Sequence, residues 1–103
     1  MSGSLTAIAI DAILEEHGLT LRQLAALAAV DHEWISHHVA EGLLTPSRHG
    51  EEWRFSSATL LRVKRIAAIE RQFEAIPELA ALVADMQEEI DDLRRRLRRA
   101  GLE

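Results

Sequence analysis

Apolar positions recur with a helical period along most of the chain, and the breaks between periodic stretches coincide with turn residues. Leu5, Ile8, Ala9, Ala12 and Ile13 fall near helical spacing, and Gly18 offers a stop. Leu5–Ile10 also alternates, so a short strand competes with a helix there. The next stretch is sharper. Thr20 stands three residues before Gln23, the spacing of a capping box, and Leu21, Leu24, Ala25, Leu27 and Ala28 form an apolar stripe behind it. Asp31 is placed to cap a second helix with its carboxylate, with Val30 and Ile35 at the positions of a hydrophobic staple. That helix buries Ile35, Val39 and either Trp34 or His38. Gly42 ends it, because a left-handed residue past a helix end costs glycine little. Leu43, Leu44 and Pro46 follow, and proline cannot continue a helix.

Two short helices joined by a tight turn predict a helix-turn-helix. The polar stretch 47–54, with Gly50 at its middle, predicts a wing closed by Trp53 and Phe55. Ser56 or Ser57 caps a further helix whose apolar side draws on Leu60, Leu61, Val63, Ile66, Ala67, Ile69 and Phe73. Pro77 ends it, leaving Ala75-Ile76 as a linker turn. Beyond it Leu79, Val83, Met86, Ile90, Leu93, Leu97 and Ala100 repeat at spacings of four and three. Val83, Ile90 and Leu97 occupy a positions, and the other four occupy d. Three heptads predict a short coiled coil. The expected organisation is an N-terminal segment over 1–18, a winged domain over 19–76 and a dimerising helix over 77–103.

Charge changes the picture more than composition does. Hydrophobic residues are 48% of 103, enough for a packed core, with a net charge of −5. Residues 1–45 carry Arg22 against six acids, residues 46–72 six cations against three acids, and residues 73–103 five arginines against eight acids. Cysteine is absent, which excludes disulfide scaffolds, thiolate zinc sites and cysteine nucleophiles. No apolar run reaches the roughly 18 residues of a membrane span, and the expected location is cytoplasmic, with nucleoid association only through a partner.

The order of these elements is similar to the MerR-like winged helix-turn-helix, and the predicted fold is therefore mainly α. MerR-type regulators usually carry an Arg-Tyr-Tyr-like triplet before the Glu-Gly-Leu-Leu turn. Here Ser36-His37-His38 precedes Glu41-Gly42-Leu43-Leu44-Thr45-Pro46, so the turn is kept and the DNA-reading triplet is not. The bare wing with its Trp53-Arg54-Phe55 exit, and Pro77-Glu78-Leu79 before the final helix, more closely resemble the CbpM-like chaperone modulators over residues 19–99. That resemblance implies a protein that binds the J-domain of a DnaJ/CbpA-like co-chaperone and inhibits it. The alternative it leaves is a dimeric MerR-type transcriptional regulator.

The residues themselves weigh between those two. Phosphate neutralisation needs Lys or Arg, and none stands between Gln23 and Ser47. A residual DNA contact would fall to Arg48 and Arg54 in the wing. The opposite polarity suits a basic protein partner, such as the basic second helix that the resemblance implies for J-domains. Asp31, Glu33 and Glu41 would steer it, and Trp34, with His37 and His38 beside it, would supply an anchor. Each has a structural alternative: a cap, first-turn dipole chemistry, or core packing. His32 and His37 are five apart, about 140° around a helix, a poor chelate. No nucleophile–base pair, phosphate loop or carboxylate pair stands out, so neither a cofactor nor an enzyme is expected. In the last helix, Asp91–Arg95 and Asp92–Arg96 are candidate intrahelical pairs, each worth about 0.3–0.5 kcal/mol. Its Leu79, Val83, Met86, Ile90, Leu93 and Leu97 would remain bare without a partner. The acidic half over 85–92 and the arginine half over 94–99 favour an antiparallel homodimer.

Overall fold

A computed structural model describes residues 17–102. The segment 5–16, read above as helix or strand, lies outside the described residues. Four helices and one hairpin follow: α1 (Leu21–Ala28), α2 (His32–Ala40), β1 (Ser47–His49), β2 (Glu52–Arg54), α3 (Ser57–Phe73) and α4 (Pro77–Arg99). The chain divides into two compact units, Met1–Lys64 and Arg65–Glu103, and α3 runs through the division.

The first unit forms where local signals are strongest. The capping box is complete: Gln23 N–H donates to Thr20 Oγ1 at 3.1 Å, and Thr20 N–H donates to Gln23 Oε1 at 2.9 Å. α1 exits through Ala29, which takes a left-handed conformation (φ 56°, ψ 46°) without being a glycine. Asp31 holds the N-cap position of α2, but its carboxylate accepts no capping bond, so that expectation fails. The extended backbone at Asp31 starts the helix, and the acid is left exposed. α2 ends at Ala40, and Gly42 takes the left-handed turn (φ 77°). Ser56 caps α3, its Oγ accepting from Thr59 N–H at 3.1 Å.

The wing is a two-stranded antiparallel hairpin with Ser47 opposite Arg54 and His49 opposite Glu52. A contact invisible to local patterning anchors it. Leu19 N–H donates to Phe55 O, and Phe55 N–H donates to Leu19 O, both at 2.8 Å. Both side chains are fully buried with Leu24, Ile35, Leu44 and Val63. A second tie runs from Arg62 Nε to the Leu43 carbonyl at 2.9 Å, joining α3 to the turn that leaves α2.

In the second unit, α3 stops at Phe73, Glu74 turns left-handed (φ 49°), and Pro77 opens α4 at its first position, where its missing N–H costs nothing. Ala80, Ala81 and Ala84 are buried on α4, and Ile66 and Ala67 on α3. α4 therefore hides its small side chains and displays its large ones. Leu61 and Phe73 are exposed, against the expectation that they join the apolar side of α3. Asp91 pairs with Arg65 at 2.7 Å rather than with Arg95. Asp92 does pair with Arg96, at 3.0 Å, and approaches Arg95 at 3.6 Å.

Two glycines with the same backbone angle differ in surroundings. A Cβ at Gly18 (φ +77°) would meet the Phe55 carbonyl oxygen at 3.1 Å, whereas one at Gly42 (φ +77°) would meet nothing within 4 Å. Gly42→Ala should cost about 1 kcal/mol, the left-handed penalty alone. Gly18→Ala should cost about 2 kcal/mol, because it also crowds the bridge. Urea unfolding of both variants measures the difference.

Candidate partner-binding surface

α2 occupies the position of a recognition helix, and its exposed residues are Asp31 at the cap, His32, Glu33, His37, Ala40 and Glu41. Among the described residues of the turn, helix and following loop, from 24 to 46, there is no cation of fixed charge. Glu33 lies in the first turn, where the helix dipole favours an anion, and His37 and His38 lie in the last. Negative charge on this surface is therefore compatible with the helix as well as with a basic partner.

Trp34 and His38 are one turn apart and act as a unit. Their rings stack at a centroid distance of 3.6 Å with 19° between planes. His38 Nδ1 lies 2.7 Å from the Trp34 carbonyl oxygen. A carbonyl only accepts, so Nδ1 carries the hydrogen and donates it. His38 is 2% exposed, and His37 meets it edge-on at 5.8 Å. Of the six residues read as partner-facing, Asp31, Glu33, His37 and Glu41 reach the surface, and Trp34 is half-buried. His38 is core; its effect on the surface is to hold the indole in place.

The wing arginines differ from one another. Arg48 is exposed on β1. Arg54 is engaged: its side chain is 15% exposed, and Nη1 donates to Glu52 Oε2 at 3.0 Å. Arg54 is thereby withdrawn from the phosphate role. Arg62, beyond the wing, spends its Nε on Leu43. Beyond the wing, Arg65 pairs with Asp91 at 2.7 Å.

A concavity of about 360 Å³ was not foreseen. Thr20, Leu21 and Arg22 form one wall and Glu51, Glu52, Trp53 and Arg54 the other. These stretches lie some thirty residues apart and meet through the Leu19–Phe55 bridge, which no spacing rule announces. The pairing of Trp53 with Phe55 across the strand exit (6.1 Å between rings, near-perpendicular) is the trace it leaves in sequence.

The second surface is the outer face of α4. Leu79, Met86, Ile90, Leu93 and Leu97 are each about half exposed, and Val83 is partly covered. Leu82 joins them at similar exposure, although it stands outside the a and d positions. No group of three His or acidic side chains placed to hold a metal occurs among the described residues, and none of the described helices is long and apolar enough to cross a membrane.

Comparison with known proteins agrees with this geometry. The family model described as MerR HTH family regulatory protein matches residues 19–100. A chaperone modulatory protein CbpM from Pseudomonas entomophila (strain L48) is 32% identical over 77 residues, covering 74% of this chain and 76% of that protein.

Substitution separates the buried from the surface roles. His38→Ala should destabilise the fold by about 2–3 kcal/mol, through the packing lost beneath Trp34. Glu33→Gln and Glu41→Gln should change stability by no more than about 0.5 kcal/mol. Chemical denaturation of the three variants tests this assignment.

Proposed function

Because this chain belongs to the MerR HTH regulatory family and is CbpM-like within it, we propose that it is a chaperone modulator that binds the J-domain of a DnaJ/CbpA-like co-chaperone and inhibits it. Inhibition is by occupancy: the modulator covers the basic face that the J-domain would otherwise offer to its DnaK-type chaperone, and no covalent chemistry occurs. The observation that carries this reading is the polarity of α2. Where a duplex-reading helix keeps its cations, this one exposes Asp31, Glu33 and Glu41. Trp34, backed by His38, is the apolar anchor at the centre of that surface, and His37 borders it. The protein works in the cytoplasm, where such a partner resides.

The active form is an antiparallel homodimer through α4. Leu79, Val83, Met86, Ile90, Leu93 and Leu97 form its seam, and fully burying a Leu or Ile is worth about 1.5–3 kcal/mol. Parallel helices would set acid beside acid and arginine beside arginine. Antiparallel ones move the arginines 94–99 of the two copies to opposite ends of the pair.

Three measurements test this reading. The J-domain should bind in a salt-dependent manner, and Glu33→Lys with Glu41→Lys should lower the association rate about tenfold by reversing the steering charge; stopped-flow fluorescence reads that rate. No binding at low salt, or tight capture of a promoter duplex in a gel shift, would leave the DNA-binding regulator instead. Ile90→Asp should convert the dimer to monomer, since a charge at the seam has no partner; sedimentation velocity measures the mass.

A further inference from the structure

In the second unit the bend at residues 74–76 folds α4 back along α3, and the Arg65–Asp91 ion pair at 2.7 Å fastens the far end. Between the two helices lies a cavity of about 520 Å³. Arg65, Ile69 and Phe73 follow one another at intervals of four along its α3 wall, and Leu79, Val83 and Gln87 do the same along its α4 wall. The chain reverses between the walls, so Arg65 and Gln87 stand at one end and Phe73 and Leu79 at the other. Two turns and a fraction of helix, about 12 Å, separate the ends. The cavity is therefore a slot with one polar end and one apolar end.

The apolar end opens outwards, with Phe73 72% exposed and Leu79 51%. The polar end is shut. Arg65 Nη1 and Gln87 Oε1 are both buried without a hydrogen-bond partner, and among the described residues the only other such side-chain atom is Arg54 Nε, in the first unit. A buried donor and a buried acceptor left unmet each carry a desolvation penalty that a partner removes. The charge of Arg65 is already balanced, because its Nη2 donates to Asp91 Oδ2. What this end lacks is a pair of hydrogen bonds, not an ion. A carboxylate accepts from Nη1, but it has no hydrogen for Oε1 and would stand beside Asp91. A hydroxyl accepts and donates. So does water, but water leaves the aliphatic walls uncovered.

We propose that this slot binds a small neutral amphiphile: an unbranched hydrocarbon chain carrying a head that both accepts and donates, as an alcohol does. The head accepts from Arg65 Nη1 and donates to Gln87 Oε1. The chain lies along Ile69 and Val83, and its tail ends between Phe73 and Leu79. Mostly apolar walls with a few polar groups at one point, in a volume of about 300–1,000 Å³, are the usual make-up of a small-molecule site. Nothing on α2 takes part, so the inference stands apart from the J-domain reading.

The probe is 1-octanol, which in extended form matches the slot in length, added to the methyl-labelled chain and followed by NMR. Saturable shifts should centre on the methyl groups of Ile69, Leu79 and Val83, with a Kd of about 1 mM or below, the range open to so small a ligand. Octanoate at pH 7 has the same length but no hydrogen to donate, and should bind about tenfold more weakly or worse. Gln87→Leu should weaken octanol about tenfold, the loss of one buried hydrogen bond. Ala68→Leu, which fills the slot from its α3 wall, should abolish binding, with circular dichroism checking that both variants remain helical. Should Ala68→Leu unfold, the octanol–octanoate comparison and Gln87→Leu still decide the matter. Shifts that do not saturate, as for a slot that holds only water or is filled by a second copy, would overturn the site. So would octanoate binding as tightly as octanol, or an octanol affinity that Gln87→Leu leaves unchanged.

Discussion

Two hydrogen bonds between Leu19 and Phe55 hold the first unit in its working shape. They join the residue before the capping box of α1 to the residue after the wing, across 36 positions of chain. Both side chains are removed from water, so the bonds lie where competing solvent is excluded. The entry of α1, the exit of β2 and the start of α3 all issue from this one junction. Gly18 precedes it because the chain turns left-handed against the Phe55 carbonyl, where a side chain would intrude. The concavity between Arg22 and Trp53 exists because the junction draws those two stretches together.

The helix-turn-helix that this junction supports has the shape of a DNA reader and the electrostatics of something else. Shape comes from burial: Leu24, Ile35, Leu44 and Val63 require only apolar contact and are indifferent to what the outside of α2 carries. The outside is free to change sign, and in this chain it has. The wing follows the same course, since Arg54 is committed to Glu52 and its own strand. One scaffold thus accommodates either sign of surface charge, because the core and the exposed face draw on different residues of the same helix.

Most local signals were legible in the sequence, the side-chain cap expected of Asp31 excepted, and long-range ones were not. Thr20 with Gln23, Ser56 with Thr59, Gly42 and Pro77 act within one turn of chain, and each does in the structure what its spacing predicts. Asp91 shows the limit: Arg95 stands at the favoured helical spacing, but Arg65 takes the carboxylate from 26 residues upstream. Leu61 and Phe73 show another. α3 has apolar residues on several sides, and periodicity alone does not say which side a neighbour covers. For the candidate site, charge and exposure on α2 could be read from composition. The burial of His38 beneath Trp34 depended on which of two aromatic rings, one turn apart, the core admits.

Two helix exits in this chain turn left-handed without a glycine, at Ala29 and at Glu74. A side chain there costs about 1 kcal/mol or more, a noticeable share of the roughly 5–15 kcal/mol that holds a domain of this size together. The two joints sit at the elbow between α1 and α2 and at the bend between α3 and α4. The molecule therefore carries its conformational tension at its corners rather than in the rods between them, and a glycine at either corner would release it.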